Sequence, residues 1–366
     1  MKNPEEFINP WVKTAEPYSD KHMDIAWENP DILRMMSNEN LIEPPKAVLN
    51  AIMKAAKLGN LYPGSGPLLR KKLGEKAGLT ADHVVLGNGS TDVINFVIHT
   101  FVGPGDEVLI PVPTFPMYES RTKVAGGTVV QVPFTPDFYW DMEAILKAVT
   151  PKTKLIFICS PNNPTGNRIS DADIKRILAL GIPTFFDEAY YELENNVETK
   201  AGWIKDYPHL VVNRTFSKAY GLAGFRIGYI LCDPKIASFF NRVRFPWNVS
   251  LLGIAAALAQ LEDTSNQDLK RQTVIKGRDY IFNEINKISG LKAYPSEGNF
   301  VLIDAHVLDK TSEEIRDAMS TKGIYIRPMG GHHMKKGFIR ITVGAMPQNE
   351  LFIKLFKEYI SEITRK

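Results

Sequence analysis

The sequence has little cysteine and no long apolar run, and both features exclude classes of protein. Its 366 residues include 2 cysteines, Cys159 and Cys232, each inside an apolar stretch. Two cysteines provide neither a disulfide framework nor the spacing of a zinc site, so we expect buried, unreactive thiols. No apolar stretch approaches the roughly 20 residues that cross a bilayer, and the first residues, MKNPEEFINPW, show no basic segment followed by an apolar one. We therefore expect a cytoplasmic protein with no membrane partner.

An excess of charge of either sign is absent as well. Lysine and arginine number 44 against 41 aspartate and glutamate residues, which gives a formal net charge of +3 at pH 7. This balance gives no reason to expect a nucleic acid as a partner. Repeats and low-complexity linkers are also absent. The hydrophobic content of 44% and charged content of 23% are ordinary for a soluble globular protein.

Short strand-like runs alternate with helical patterns over the first two-thirds of the chain. Seven runs rich in β-branched and aromatic residues occupy 83–87, 107–112, 128–134, 154–159, 183–187, 210–213 and 226–232. Helical patterns such as 91–102 and 171–180 lie between them. This alternation predicts βαβ units, and hence an α/β fold whose mostly parallel, buried sheet lies between helices.

The pattern changes after Pro246. Helical periodicity extends from about Val249 to Ile288, and shorter strand and helix patterns follow up to a final amphipathic helix at 349–363. We predict an extended, polar N-terminal arm over residues 1–40, which packs with the small domain and a partner subunit. A large domain over 41–248 and a smaller α+β domain over 249–366 follow.

Three polar motifs follow predicted strands, where ligands bind in parallel sheets. They are 87-GNGSTD-92, 161-PNNPTG-166 and 187-DEAY-190. The glycines of the first motif let its backbone approach a ligand closely. The motif also opens a helix whose free N–H groups attract an anion. Each motif alone also has a purely structural interpretation, as a tight turn, a β-turn and a helix cap.

A fourth stretch, 213-NRTFSKAYGLAGFRIGY-229, places a lysine among small residues at the end of a strand. A desolvated lysine has a lowered pKa and becomes a usable amine nucleophile, which indicates this role for Lys218. Arg226 offers a planar fork suited to phosphate, and Thr215 and Ser217 add hydroxyl groups. An amine beside hydrogen-bond donors for a phosphate suggests pyridoxal 5′-phosphate, whose ring nitrogen needs an anionic partner. Asp187 is the candidate for that partner.

These motifs occur in the order NPTG (163–166), D-x-A-Y (187–190), SK (217–218) and G-x-R-x-G (224–228). The whole chain thereby resembles the fold-type I pyridoxal-phosphate aminotransferases. Within that group it looks most like the histidinol-phosphate aminotransferases. Supporting stretches include 37-SNEN-40, 62-YPG-64, 113-PTFPMY-118 and 339-IRITVG-344.

The resemblance assigns roles residue by residue. Lys218 would bond to the cofactor aldehyde and then move the proton between the substrate carbon and the cofactor carbon. Asp187 would keep the ring nitrogen protonated, and Asn163 and Tyr190 would hydrogen-bond the ring hydroxylate. Phe115 would stack on the ring. The cofactor phosphate would be held by Ser90, Thr91, Thr215, Ser217 and Arg226, together with Tyr62 from the neighbouring subunit. The resemblance therefore implies a homodimer with shared active sites.

Substrate contacts are also implied by the resemblance. Arg340 matches the arginine that binds the carboxylate of the amino donor. Arg327 and Tyr18 match residues near the substrate phosphate, and Asn40 lies in the NEN motif near the substrate mouth. The alternative for Arg327 is a rim charge paired with a surface carboxylate.

Three segments depart from the family pattern. They are LIEPPK after the NEN motif, GSTD at 89–92 and the basic loop 329-MGGHHMKKG-337. In that loop His332 and His333 either meet a substrate phosphate or are exposed spacers. No glutamate completes a metal site with them, so we expect no metal.

The predicted enzyme is a transaminase that moves an amino group between glutamate and a phosphorylated small molecule. Histidinol phosphate, with imidazole-acetol phosphate as its keto partner, is the first choice. Other amino-alcohol phosphates, such as serinol phosphate, and aromatic amino acids are alternatives. A threonine-phosphate-type decarboxylase is a second class. A binding protein without activity would be expected to lose Lys218, Asp187 or Asn163, and all three are present.

Overall fold

The computed structural model describes residues 3–194, 197–331 and 333–364, and His332 therefore lies outside the described residues. The strands are β1 (Leu33–Met35), β2 (Val84–Asn88), β3 (Glu107–Val112), β4 (Thr128–Pro133), β5 (Thr153–Cys159), β6 (Thr184–Asp187), β7 (Leu210–Thr215), β8 (Ile227–Leu231), β9 (Lys292–Ala293), β10 (Phe300–Asp304), β11 (Ile324–Pro328) and β12 (Phe338–Thr342). The α-helices are α1 (Pro10–Lys13), α2 (Lys21–Glu28), α3 (Lys46–Ala56), α4 (Pro67–Lys76), α5 (Gly89–Phe101), α6 (Met117–Val124), α7 (Met142–Lys147), α8 (Asp171–Leu178), α9 (Pro234–Val243), α10 (Leu251–Glu262), α11 (Thr264–Asn286), α12 (Ser312–Thr321) and α13 (Met346–Thr364).

Seven strands form the larger sheet, in the order β2-β8-β7-β6-β5-β3-β4. Strand β8 is antiparallel to β2 and β7, and the other neighbours are parallel. Both faces of the sheet are apolar: in β5, Ile156 and Ile158 pack in the core on one face, and Leu155 and Phe157 pack in the core on the other. A strand buried on both faces is a near-continuous apolar run, which is why the sequence predicts these strands well. The seven-stranded, mostly parallel sheet of an α/β fold is confirmed.

The smaller sheet has the order β1-β11-β12-β10-β9. Strands β9 to β12 pair antiparallel, and helices α11, α12 and α13 contribute side chains such as Ile281, Ile315 and Phe352 to the core beside them. Strand β1 joins this sheet by parallel pairing with β11. The first forty residues are therefore tied to the C-terminal part of the chain by backbone hydrogen bonds.

The prediction of an extended arm over residues 1–40 is wrong in part, because this segment contains helices α1 and α2 and strand β1. The three residues of β1 are too few to show a period, and their partner strand lies almost 300 positions further on. Local sequence therefore carries little information about this strand.

The predicted boundary between residues 248 and 249 stays a prediction. Helix α10 follows it, and Ala256 and Ala257 of that helix pack in the core beside the larger sheet. The long helical pattern from Val249 is divided at Asp263, whose carboxylate accepts from the Asn266 backbone N–H and so caps α11.

The carboxyl ends of β5, β6 and β7 lie side by side. Their register places Cys159 opposite Asp187, and Asp187 opposite Asn213. Helix α5 follows β2 directly and begins at the same edge, because β2 and β7 are both antiparallel to β8 and therefore run in the same direction. Side chains that are far apart in sequence therefore meet at one edge.

None of the helices in the described part of the chain is both long enough and apolar enough to cross a membrane. Cys159 and Cys232 are free and buried, as predicted, and burial raises the pKa of both thiols.

Candidate active site

A cavity of about 490 Å³ lies where the strand ends of the larger sheet face the arm and strands β11 and β12. Every predicted site residue lines it except Asn40 and Tyr62. The lining residues among those predicted are Tyr18, Ser90, Thr91, Phe115, Asn163, Asp187, Tyr190, Thr215, Ser217, Lys218, Arg226, Arg327 and Arg340. The fold thus brings together residues that are spread along the chain from Tyr18 to Arg340.

Asp187 ends β6 with its carboxylate almost fully buried, at 3% exposure. One oxygen, Oδ2, accepts a hydrogen bond of 2.6 Å from the Tyr118 hydroxyl. The other, Oδ1, accepts from the Asn213 amide at 2.8 Å and from the Ala189 backbone N–H at 3.0 Å. Burial raises the pKa of Asp187, and the bonds from Tyr118 and Asn213 oppose that rise. All three donors are neutral, so the carboxylate is well placed for a cationic partner from the cavity.

Lys218 follows β7, and its Nζ donates a hydrogen bond of 3.0 Å to the Ser37 carbonyl. Burial, and next the charge of Arg340, lowers the pKa of Lys218 to about 8. The amine therefore holds its proton far less tightly than an exposed lysine does. This is the state that a nucleophile and a proton carrier need.

An anion-binding corner lies at the start of α5. The N-cap Asn88 gives the helix start no side-chain hydrogen bond among the described residues, and Arg226 lies beside Gly89, where a Cβ would collide with the guanidinium. A Cβ at Gly228 would likewise lie 2.5 Å from the Ser90 nitrogen. Glycine at these two positions thus allows the arginine and the neighbouring strand to approach the helix start. Helix N-termini and guanidinium groups are both donors suited to a phosphate.

Two further groups meet at the middle of the cavity. Asn163 Oδ1 accepts a bond of 2.5 Å from Arg340 Nη1, and the Tyr190 hydroxyl accepts one of 2.9 Å from the Asn38 amide. Arg340 also donates from Nη2 to the Met36 carbonyl at 2.7 Å. Burial lowers the pKa of Arg340 to about 10, so this arginine remains a cation at neutral pH.

The described residues fit pyridoxal 5′-phosphate. The same cavity is lined by hydrogen-bond donors for a phosphate at the start of α5, by an amine of lowered pKa and by a buried carboxylate without a cationic partner. These are the groups that the phosphate, the aldehyde and the ring nitrogen of that cofactor require. The α5 start and Arg226 would hold the phosphate, Lys218 would meet the aldehyde, and Asp187 would meet the ring nitrogen.

Two predicted site residues lie away from the cavity. Asn40 donates to the Ala219 carbonyl at 3.4 Å and accepts from the Ile42 backbone at 3.1 Å, whereas Asn38 of the same motif lines the cavity. Tyr62 is 80% exposed and stacks on Trp247 with 4.6 Å between ring centroids. Its predicted contact with a neighbouring subunit stays a prediction.

The alternative interpretation of Arg327 is not supported. Within the described part of the chain no carboxylate forms an ion pair with Arg327, which instead lines the cavity. His333 lies outside the cavity lining, with Nε2 3.3 Å from the Gln131 amide nitrogen and 3.8 Å from Glu119 Oε2. No group of His, Cys, Asp and Glu suited to a metal occurs among residues 3–194, 197–331 and 333–364.

Sequence reasoning missed several residues of the site. Tyr118 lies within the PTFPMY stretch, and Asn213 lies two positions before Thr215 on β7, so that both face the same side. His22, Arg34 and Glu39 line the wall formed by the arm. Burial, and next Arg327 and Arg340, lowers the pKa of His22 to about 4, so this imidazole is neutral.

We predict that Tyr118→Phe weakens cofactor binding and turnover. The variant removes a hydrogen bond to a buried carboxylate, which is worth about 1.5–3 kcal/mol and corresponds to about 10- to 150-fold. Tyr220→Phe is the matched control, because the buried Tyr220 hydroxyl has no hydrogen-bond partner among the described residues. The measurements are the dissociation constant of the cofactor, kcat/KM and the pH titration of the cofactor absorbance. Equal effects of the two variants would contradict a positioning role for Tyr118.

We predict that the cofactor-free protein reacts with pyridoxal phosphate faster as pH rises, with a plateau above pH 8. The neutral amine is the reacting form, and the lowered pKa of Lys218, about 8, makes it abundant there. An ordinary lysine, with a pKa of about 10.4, would show the plateau above pH 10. Stopped-flow absorbance measures the rate, and the same reaction with N-acetyl-lysine amide corrects for titration of the cofactor itself. A plateau near pH 10 would contradict the prediction.

Comparisons with known proteins agree with the geometry. The family model for aminotransferase class I and II matches residues 30–353. A histidinol-phosphate aminotransferase of Moorella thermoacetica is 34% identical, over 97% of this chain and 91% of that protein. One from Mannheimia succiniciproducens is 38% identical, over 94% of each chain.

Solved structures show the same fold. The histidinol-phosphate aminotransferase of Sinorhizobium meliloti, in complex with pyridoxal-5′-phosphate, superposes with a TM-score of 0.86 at 27% identity, over 98% of each chain. An L-threonine-O-3-phosphate decarboxylase of Porphyromonas gingivalis has a TM-score of 0.79 at 23% identity, which shows the fold alone. This chain therefore belongs to the class I and II aminotransferase family and is a fold-type I, pyridoxal-phosphate-dependent enzyme.

Proposed function

We propose that this enzyme transfers an amino group between glutamate and a phosphorylated amine, with histidinol phosphate and imidazole-acetol phosphate as the second pair. One observation carries the proposal: Arg327 and Arg340 line the cavity beside Lys218, and no carboxylate of the described chain pairs with either. Two guanidinium groups without an internal anion suit substrates that carry a carboxylate or a phosphate. The relatives that are 34% and 38% identical bear the name of this activity.

The charge of the cavity supports anionic substrates in general. Its lining includes five basic side chains, Arg34, Lys218, Arg226, Arg327 and Arg340, against two acidic ones, Glu39 and Asp187. A positive cavity with apolar walls concentrates anions and accelerates their association. Both glutamate and a phosphate monoester meet this requirement.

The cofactor, when bound, supplies an aldehyde that bonds to amines and a ring that withdraws electrons from the substrate carbon. The chain supplies the rest. Asp187 would stabilise the positive charge on the ring nitrogen, and Asn163 and Tyr190 would orient the ring through its hydroxyl group. Lys218 Nζ would take the proton from the substrate carbon and return it to the cofactor side, which its lowered pKa favours. Arg340 would fix an anionic group of the substrate so that the scissile C–H bond faces Lys218.

A half-reaction screen tests the proposal. The protein in its aldehyde form is mixed separately with glutamate, histidinol phosphate, serinol phosphate, phenylalanine and threonine phosphate, and the cofactor spectrum is followed. We expect fast amination of the cofactor by glutamate and by histidinol phosphate. Amination by glutamate without amination by histidinol phosphate would leave a transaminase with another partner. Release of carbon dioxide from threonine phosphate would favour the decarboxylase instead.

We also propose a homodimer in which Tyr62 reaches the cofactor phosphate of the neighbouring subunit. Tyr62, Phe245 and Trp247 are 80%, 73% and 56% exposed, which is a large apolar surface for a monomer. Analytical ultracentrifugation tests the homodimer, since the mass of a single chain at micromolar concentration would contradict it. The cytoplasmic location and the division into an arm and two domains stay predictions.

A further inference from the structure

The Tyr190 hydroxyl lines the cavity with one hydrogen-bond partner already in place. Its oxygen accepts a hydrogen bond of 2.9 Å from Asn38 Nδ2. The Tyr190 and Asn38 side chains are 3% and 1% exposed, and both line the cavity. Burial raises the pKa of Tyr190, and the charge of Arg340 and the bond from Asn38 oppose that rise. The hydroxyl therefore keeps its hydrogen at neutral pH, and no acceptor among the described residues takes it.

Hydrogen bonds with Thr342 set the orientation of the Asn38 amide. Thr342 Oγ1 accepts from the Asn38 backbone N–H at 2.9 Å, and its own hydrogen is donated to Asn38 Oδ1, 3.4 Å away. A hydroxyl has one hydrogen to donate, whereas an amide has a carbonyl side that accepts and an NH₂ side that donates. The carbonyl side of Asn38 thus belongs to Thr342, and the NH₂ side faces Tyr190 as a donor.

The backbone at Asn38 is held independently of its side chain. Its φ of 54° lies in the left-handed region, which asparagine and glycine both tolerate. Asn299 Nδ2 donates to the Asn38 carbonyl at 2.9 Å. The next residue, Phe300, packs edge-on against the Tyr190 ring, with 5.2 Å between centroids, and lies opposite Thr342 in the pairing of β10 with β12. One end of this strand pair therefore fixes Asn38 and Tyr190 relative to each other.

We infer that Asn38 is a positioning residue for the cofactor: its amide occupies the Tyr190 oxygen, turns the Tyr190 hydrogen into the cavity and strengthens it as a donor to the ring hydroxyl of pyridoxal phosphate. A hydroxyl that accepts a hydrogen bond is polarised and becomes a better donor. A donor at the ring hydroxyl favours its anionic form, so that the lysine-bound cofactor loses its proton at a lower pH. The inference rests on the proposed contact between Tyr190 and the ring, and it does not depend on the substrate.

The test measures the pH midpoint of the absorbance of the lysine-bound cofactor. Asn38→Gly removes the amide but keeps the left-handed backbone and its bonds to Thr342 and Asn299. We expect this variant to raise the midpoint by about 0.5–1 pH unit, the size of one hydrogen bond between neutral groups. Asn38→Asp keeps the shape of the side chain but accepts the Tyr190 hydrogen and adds a negative charge, so that the midpoint should rise further. An unchanged midpoint in Asn38→Gly, or a smaller rise in Asn38→Asp, would overturn the inference.

A double-mutant cycle shows whether Asn38 acts through the Tyr190 hydroxyl. Tyr190→Phe alone should raise the midpoint by more than Asn38→Gly does, because the donor itself is lost. In the Tyr190→Phe background, Asn38→Gly should add less than about 0.3 pH unit. Equal shifts in the two backgrounds would assign Asn38 a structural role and contradict the inference.

Asp309→Gly is the matched control for the backbone. Asp309 has a φ of 48°, its side chain is 97% exposed, and it lies outside the cavity lining. This variant should leave the midpoint unchanged. Thermal unfolding checks each variant, and Asn38→Asp carries the test if Asn38→Gly does not fold. Other titratable groups that act on Tyr190 or Lys218 are the same in all of these variants, namely Glu39, Cys159, Asp187, Arg226 and Arg340.

The outcomes also separate the inference from the proposed function. If Tyr190→Phe leaves the midpoint unchanged, the proposed contact with the ring hydroxyl falls, and the inference falls with it. If Tyr190→Phe raises the midpoint and Asn38→Gly does not, the contact stands and the inference alone falls. The choice of substrate is tested separately, by the half-reaction screen.

Discussion

Lys218→Ala is expected to reduce turnover by about 10⁴-fold or more and to abolish the visible absorbance of the lysine-bound cofactor. The reason is that one amine serves both as the point of covalent attachment and as the proton carrier, and proton transfer alone is worth about 10²- to 10⁴-fold. Lys218 Nζ makes a single hydrogen bond with the described chain, to the Ser37 carbonyl, so that its removal leaves the core intact. Steady-state kinetics and the absorption spectrum measure the two losses, and thermal unfolding checks the fold.

A second buried lysine makes this prediction sharper. Burial also lowers the pKa of Lys270 to about 8, but its Nζ donates to the Tyr220 carbonyl at 2.8 Å, and the residue does not line the cavity. The pKa alone would therefore not choose between the two lysines, whereas the geometry chooses Lys218. Borohydride reduction followed by peptide mapping should find the cofactor on Lys218. A label on Lys270, or full activity of Lys218→Ala, would contradict the assignment. Lys205→Ala, at an exposed position, is the control.

Asp187→Asn is expected to lower kcat/KM by about 10²- to 10⁴-fold, because removing one partner of a buried charge pair costs about 3–5 kcal/mol. The amide keeps the shape of the side chain but cannot stabilise a protonated ring nitrogen. It also presents an NH₂ group where the Tyr118 hydroxyl and the Asn213 amide now donate. Both effects act on the cofactor, so that its dissociation constant should rise together with the loss of turnover.

The control for this variant is Asp206→Asn, which changes an exposed carboxylate and should alter kcat/KM by less than about 2-fold. Asp187→Glu should recover part of the activity, since the charge is retained and only its position changes. Wild-type kinetics in Asp187→Asn would show that another group is the partner of the ring nitrogen.

How much of this site the sequence predicts depends on how local each feature is. Lys218, Arg226 and the hydroxyl residues between β7 and β8 lie within one stretch, and their residue types already indicate the chemistry. Asp187 was predicted because it ends an apolar run. The strands of the larger sheet were predicted well for the same reason, since burial on both faces leaves a continuous apolar pattern.

Features that depend on long-range pairing were not predicted. The hydrogen bond from Tyr118 to Asp187 joins residues 69 positions apart, and that from Asn38 to Tyr190 joins residues 152 apart. No local pattern encodes such a partnership. The sequence does not distinguish Asn38 from Asn40, because both belong to one short motif. In the structure Asn38, with a φ of 54°, lines the cavity and Asn40 does not. The ion pair between Arg34 Nη2 and Glu39 Oε1, at 2.9 Å, was missed because strand β1 is short and its partner strand is distant in sequence.

The measurement that tests the account most directly follows the nitrogen atom. The enzyme is incubated with ¹⁵N-labelled glutamate and imidazole-acetol phosphate, and the products are analysed by mass spectrometry. The account predicts 2-oxoglutarate together with histidinol phosphate that carries the ¹⁵N label, and no label in the phosphate product when Lys218→Ala replaces the wild type. Unlabelled histidinol phosphate, or none at all while glutamate is still consumed, would contradict it.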